Sequence, residues 1–216
     1  MRPGRPVDLA RASVFLDFDG TVTERDVGRH VLEQLARPGW QELSEQYRAG
    51  VIGSRECLVD QWDLLDADEA ALRAAASEVP LDPGFEDFVE AMRRSGAELV
   101  VVSDGFGFRA EEVCQRFGVP VLTNHVDWEI GALEFPHEDR CCPCSTCGVC
   151  KQAPIKDARR AGRTTVLVGD GSSDRKAALL ADVVFAKRRL AQWCALQDVP
   201  YHPFDTLADV QAALGS

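Results

Sequence analysis

Apolar residues arrive in three short runs that each stop at acidic residues and glycine. The stretches "ASVFLDFDG" (12–20), "AELVVVSDG" (97–105) and "TTVLVGDG" (164–171) each hold at least three consecutive apolar positions. That pattern predicts strands buried on both faces of a parallel sheet. Between the first two runs the period changes. From Val22 to Leu81, "VGRHVLEQLA", "WQELSEQYRAG", "SRECLVDQWDLL" and "DEAALRAAASEV" space their apolar residues three and four apart, with Gly50, Gly53 and Pro80 between them. This is helical spacing, and the segment is far too long for a loop. It predicts a helical domain at 22–81 inserted into a core made of 1–21 and 82–216.

The chain re-enters the core at "LDPGFEDFVEAMRRSG", with Pro83 near a helix start and Gly96 past its end. Helices follow at "FRAEEVCQRFG", "SDRKAALLA", "LAQWCALQ" and "TLADVQAALG", with a strand at "DVVFA". "VPVLTNHVDWEIGALEF" alternates around Gly131 and predicts an antiparallel strand pair. Strands alternating with helices define the class as α/β: a doubly wound, mainly parallel, Rossmann-like sheet with helices on both faces.

A length of 216 residues suits one core plus a modest insertion. A net charge of −11 argues against a nucleic-acid partner, which would need clustered Lys and Arg. Arg93–Arg94 and Lys187–Arg188–Arg189 are short groups that read as solvated helix surface. No apolar run reaches the ~18 residues of a spanning helix, and the first residues lack a signal's apolar stretch. The expected setting is the cytoplasm, away from membranes, where thiols stay reduced. The eight cysteines then suggest metal binding or free thiols rather than a disulfide framework.

In an open parallel sheet, chemistry collects beyond the carboxyl ends of the strands. Those ends supply Asp17, Asp19, Ser103, Asp104, Asp170 and Asp174. So many converging carboxylates call for a hard cation, and Mg²⁺ with a phosphate substrate suits them. Asp17 and Asp19 are two residues apart, on one side of an extended chain, so one can attack while the other moves a proton. Ser103 and the N–H groups beside Asp104 and Gly105 can hold phosphoryl oxygens. Each residue alone has a plainer reading: a turn, a strand end or a helix cap. Three strand ends in order carry the chemistry.

"HEDRCCPCSTCGVCK" (137–151) offers Cys141, Cys142, Cys144, Cys147 and Cys150 before Lys151. The C-x2-C-x2-C spacing is that of an iron–sulfur run, but Pro154 stands where the next cysteine belongs. Cys142, Cys144, Cys147 and Cys150 could hold a structural Zn²⁺; the alternatives are a disulfide or a reduced loop bracing Lys151. A cysteine-based metal or redox sensor is the reading from a different functional class.

"DFDGT", "VVSDG", Lys151 and "GDGSSD" resemble, in order, the four signature motifs of the haloacid dehalogenase superfamily of phosphatases. The resemblance runs from Val14 onward, and the inserted helices look like that superfamily's type I cap, as in phosphoserine phosphatases. It implies Asp17 as nucleophile and Asp19 as general acid and then base. It implies Mg²⁺ held by Asp17, Asp170 and the Asp19 carbonyl, its waters oriented by Asp174, and the phosphoryl group held by Ser103 and Lys151. Asp26 falls where phosphoserine phosphatases place an acid facing the substrate amine. The alternative is that Thr23 caps the first inserted helix and the neighbouring acids complement its dipole. Trp40, Tyr47 and Trp62 read as packing within the insertion.

The second motif has Ser-Asp-Gly where phosphoserine phosphatases usually have Ser-Gly-Gly. "GDGSSDRKAALLADVVFAK" is more similar to methionine-salvage phosphatases acting on 2-hydroxy-3-keto-5-methylthiopentenyl 1-phosphate. The phosphoethanolamine/phosphocholine phosphatases share a cysteine-bearing stretch before the lysine. The expected function is Mg²⁺-dependent hydrolysis of a small phosphorylated metabolite through an aspartyl-phosphate. Alternatives are an intermediate of a specialised biosynthetic pathway, or phosphoserine- and phosphoethanolamine-type substrates.

Overall fold

The three apolar runs lie side by side in a computed structural model that describes residues 7–140 and 146–215, the Asp139 side chain excepted. In chain order the strands are β1 (Ala12–Leu16), β2 (Glu98–Val102), β3 (Val121–Leu122), β4 (His125–Asp127), β5 (Ala132–Glu134), β6 (Thr164–Gly169), β7 (Val183–Ala186) and β8 (His202–Pro203). Six of them form one sheet in the order β3-β2-β1-β6-β7-β8, with every pairing parallel. Strands β4 and β5 form the antiparallel pair expected around Gly131.

The register decides where the chemistry meets. Leu16 sits level with Val101 on one side and Val168 on the other. Asp17, Ser103 and Asp170 therefore leave neighbouring strands at nearly the same height. From β1 the chain first builds outward to β2 and β3, then returns to the other side of β1 for β6. That reversal opens a crevice at the carboxyl ends of β1 and β6.

Four helices follow β1 between the two sides of the paired stem at Thr23 and Leu81 that leads back toward the sheet: α1 (Val27–Leu35), α2 (Trp40–Ala49), α3 (Ser54–Trp62) and α4 (Glu69–Ser77). The remaining helices are α5 (Phe85–Ser95), α6 (Phe108–Phe117), α7 (Gln152–Arg160), α8 (Arg175–Ala178), α9 (Arg188–Leu196) and α10 (Leu207–Leu214). Strand side chains alternate between two apolar layers, as a period of two requires. Val14, Leu16, Val101, Val166 and Phe185 pack with Phe85, Phe88, Val113 and Leu207 from α5, α6 and α10. Phe15, Val102, Leu167 and Val184 pack with Ile155, Ala177 and Leu190 from α7, α8 and α9. The sheet is thus wound on both faces. Among the described residues, no helix is long and apolar enough to cross a membrane.

The stretch "SDRKAALLA" is shorter as a helix than its pattern predicts. It ends at Ala178 because Asp182 must turn back to start β7. There Asp182 accepts from both the N–H and the hydroxyl of Thr165, at 2.9 and 2.7 Å.

Helices α1–α4 join the sheet through a single paired stem. Thr23 and Leu81 form an antiparallel bridge, flanked by Glu24 N–H to Pro80 O (2.9 Å) and Asp82 N–H to Val22 O (2.8 Å). A second attachment is aromatic. Trp62 of α3 meets Phe106 and Trp128 edge-on, with centroids 5.5 and 6.1 Å apart. Its indole N–H donates to Gly131 O at 2.8 Å, and the Arg73 guanidinium lies 4.8 Å above the Trp128 ring. The hairpin β4–β5 therefore supports the helical segment from the sheet side.

Candidate active site

Strand β1 stops at Asp17 because its next residues turn away from the sheet. Gly20 takes φ +76°, and a Cβ there would strike the Asp170 carboxylate. Asp17 is buried, and its Oδ1 accepts from Phe18 N–H at 2.8 Å and from Lys151 Nζ at 2.5 Å. Burial, reinforced by the Asp174 carboxylate, raises its pKa well above the usual carboxylate range. Asp19 faces the end of β2: its Oδ1 accepts from Val27 N–H at 2.9 Å and its Oδ2 from Ser103 Oγ at 3.3 Å. Burial, with the nearby Asp26 carboxylate, pushes Asp19 up to about 7.

Strand β2 delivers Ser103, whose Oγ also accepts from Gly105 N–H at 3.3 Å. It caps no helix, since the residue preceding α6 is Gly107. Glycine at 105 is required by space: a Cβ there would come 2.7 Å from Asp19 Oδ2. The Asp104 carboxylate turns away from this group toward Ser54 and Val149.

Strand β6 delivers Asp170 and Asp174. The Asp174 side chain is fully buried, and its Oδ2 accepts from the N–H groups of Asp170 and Gly171 at 3.2 and 3.0 Å. Its Oδ1 meets Lys151 Nζ at 2.7 Å. It opens α8 without capping it through its side chain. Burial and the Asp174 charge push Asp170 up to about 6. Lys151, itself buried, precedes α7. Burial opposes its charge, but Asp17 and Asp174 outweigh that and hold its pKa above the ordinary lysine value. The ammonium therefore stays charged between two carboxylates.

Two expectations need correction. Thr23 does not cap α1; its hydroxyl bonds Phe18 O and Arg25 O and belongs to the stem. Asp26 is the cap, with Oδ1 accepting from Arg29 N–H at 2.8 Å. It also lines the cavity described below. The trio Lys187–Arg188–Arg189 is not simply solvated surface. Lys187 is buried, while Arg188 donates to Gly20 O (2.9 Å), Glu24 O (2.6 Å) and Asp170 Oδ2 (3.2 Å). Arg188 thereby joins the loop after β1 to the end of β6. Its signal in the sequence was position: it follows β7 at the same carboxyl edge of the sheet.

These groups open into a cavity of about 800 Å³ between the sheet's carboxyl edge and helices α1–α3. Leu32, Trp40, Leu58 and Phe106 give it apolar wall, while Ser44, Tyr47 and Gln61 add polar groups. Trp40 combines packing with cavity lining, and Trp62 packs against the aromatic groups of the core side. His30 and His125 pair with Glu78 and Glu111, so neither joins the carboxylate group.

Carboxylate oxygens of Asp17, Asp170 and Asp174 all lie within 4.8 Å of one another. Three buried or half-buried acids face one lysine and one shared arginine, a surplus of negative charge. An all-oxygen donor set of this kind fits a hard divalent cation such as Mg²⁺. For the cysteine stretch, Cys142 and Cys144 lie outside the described residues. Cys150 is buried and Cys147 half-buried beside the segment leading to Lys151.

Comparison with known proteins gives the family. Residues 14–179 match the family model "haloacid dehalogenase-like hydrolase". A 2-hydroxy-3-keto-5-methylthiopentenyl-1-phosphate phosphatase from Brevibacillus brevis is 30% identical over 91% of this chain and 92% of its own. One of the same name from Exiguobacterium sp. is 29% identical, over 92% and 95%. In fold, the chain is similar to a phosphoserine phosphatase solved as an analogue of its phospho-aspartyl intermediate, with TM-score 0.69 and 17% identity over 93% and 96% of the two chains. The phosphoserine phosphatase from T. onnurineus gives TM-score 0.70 at 18% identity, over 99% and 97%. With strand ends, sheet order and family model in agreement, this chain belongs to the haloacid dehalogenase-like hydrolases.

Proposed function

We propose that this hydrolase is a Mg²⁺-dependent phosphatase that removes the phosphoryl group from a small metabolite by way of Asp17. The observation that carries the reading is the meeting of Asp17, Asp170 and Asp174 with the Lys151 ammonium at the foot of a lined cavity. Among the described residues, the hydrogen bonds to Asp17 fall on Oδ1, which leaves Oδ2 to attack phosphorus. As that P–O bond forms, the bond to the leaving oxygen breaks, and the Asp19 carboxyl gives that oxygen a proton. Asp19 then takes a proton from water as the water oxygen attacks phosphorus. The bond to Asp17 breaks, releasing inorganic phosphate and the free carboxylate.

Lys151 offsets the repulsion between an anionic nucleophile and an anionic substrate. Ser103 Oγ and the N–H groups at Asp104 and Gly105 hold the other phosphoryl oxygens. Asp17, Asp170 and the Asp19 carbonyl would hold Mg²⁺, with Asp174 orienting its surroundings. The cation, when bound, stabilises charge on the phosphoryl oxygens. Residues 22–81 act as the cap that shields this reaction from bulk water.

For the substrate, we favour 2-hydroxy-3-keto-5-methylthiopentenyl 1-phosphate or a close analogue. Support comes from relatives bearing that name, which align along nearly the whole chain. The apolar wall of Leu32, Trp40, Leu58 and Phe106 suits an uncharged organic tail. The Asp26 oxygen bonded by Arg29 N–H weakens its case as an amine ligand, though it stays at the cavity wall. The decisive variant is Asp17→Asn, which should lower aryl-phosphate hydrolysis by at least ~10³-fold with the melting temperature retained. Wild-type turnover in that variant with Mg²⁺ present would overturn the mechanism. A panel of phosphorylated metabolites ranked by kcat/KM tests the substrate.

A further inference from the structure

Just upstream of Lys151 the chain is gripped from both sides. Val149 N–H donates to Asp104 Oδ1 at 2.8 Å, and Asp104 Oδ2 accepts from Ser54 Oγ at 2.5 Å. Ser54 is the first residue of α3 and is buried; its Oγ also lies 3.4 Å from Gly148 N–H. Arg55 continues the contact: its N–H donates to Thr146 O at 3.1 Å and its guanidinium to Cys147 O at 3.3 Å.

Two glycines make this approach possible. A Cβ at Gly53 would collide with the Thr146 carbonyl, and one at Gly148 would lie 2.7 Å from Asp104 Oδ1. Residues 146–149 are therefore clasped between helix α3 and the loop after β2, with no room for a side chain at either face. The carboxylate in the middle is costly to bury, and burial raises its pKa against the bonds from Ser54 and Val149. A glycine would fit the turn without that cost. The acid is explained by what it joins.

We propose that Asp104 is a positioning residue that, with Ser54, ties helix α3 to the segment delivering Lys151. Covering the cavity and placing the ammonium then become one coupled event. The inference rests on the reading above, in which Lys151 holds the phosphoryl group. A shift of about 1 Å in such a group can cost ~10²-fold in rate, so a tie two residues away has leverage.

The test compares Ser54→Ala, Asp104→Ala, Asp104→Asn, the double alanine variant and Lys151→Ala. Each is assayed with an aryl phosphate and Mg²⁺, and each is melted. Ser54→Ala and Asp104→Ala should each lower kcat roughly tenfold with little change in KM, and the double variant should be no worse than Asp104→Ala. Asp104→Asn should stay within about threefold of wild type, because an amide can accept from Val149 and donate to Ser54 Oγ. Should Asp104→Ala lose stability, Ser54→Ala and Asp104→Asn carry the test. Losses that multiply in the double variant would overturn the proposal, as would Asp104→Asn as damaged as Asp104→Ala. If Lys151→Ala is inactive while Ser54→Ala and Asp104→Asn keep wild-type kcat and the double variant does too, only the coupling fails. If Lys151→Ala itself keeps wild-type kcat, the reading of the site fails with it.

Discussion

Cys57 and Cys114 show how burial governs the reactivity of a side chain. Cys114, on the inner face of α6, is fully enclosed, and burial pushes its thiol up to about 12. Cys57 lies at the cavity wall, yet burial, helped by the Asp60 charge, pushes it up to about 11. A raised pKa leaves almost no thiolate at pH 8, and the thiolate is the reactive species. Both should therefore resist iodoacetamide in the native protein at pH 8 and react once it is denatured. Mass spectrometry reads the outcome, and rapid native alkylation at either would contradict it. At this same scale the sequence is unevenly legible. Asp17, Asp19, Asp170 and Asp174 stand out because they end apolar strands. Arg188 does not, since within a basic trio its letter looks like any solvated arginine. Its function in the fold depends on three acceptors far off in sequence. Ser54 is hidden likewise, fifty positions from the carboxylate it meets.

Elements follow a similar division between local and distant causes. Strands and most helices are legible because periodicity is local, and β1, β2 and β6 begin and end within a residue or two of their apolar runs. The docking of α3 is not legible, because no local pattern says that Trp62 meets Phe106, Trp128 and Gly131. That docking makes a measurable claim. Trp62→Ala should cost about 2–4 kcal/mol in denaturant unfolding, below or near the range for fully buried tryptophan because Trp62 is only half-buried. It should also speed proteolysis within residues 36–68, because the hairpin β4–β5 no longer braces the helices. Unchanged stability and cleavage would show that the stem at Thr23 and Leu81, with the Ser54 and Arg55 contacts of α3, suffices to hold the segment.

For the molecule as a whole, the site is assembled from positions spread between 17 and 174, and topology alone brings them together. Alternating strands and helices imply a parallel sheet, which makes the carboxylates legible as one group, whereas the reversal at β1 is seen only in the strand order. That group has a thermodynamic signature. A cation bound only by the folded state stabilises it by mass action. Mg²⁺ at ~100 times its dissociation constant should add about 2.7 kcal/mol, seen as a rise of several degrees in melting temperature that EDTA reverses. Asp170→Asn should abolish most of that rise. An equal rise in the variant would place the cation elsewhere.

The sheet that gathers these residues also ends in an unusual way. Its outermost strands, β3 and β8, are two residues each, Val121–Leu122 and His202–Pro203. A long bare margin would offer its N–H and C=O groups to any other chain. Here each margin is a stub, and Pro203 has no N–H to offer. The parallel core, which folds slowly through distant pairings, thus presents little template for intermolecular strand addition. Resistance to aggregation is built into the two ends of the sheet, far from the crevice where its chemistry is done.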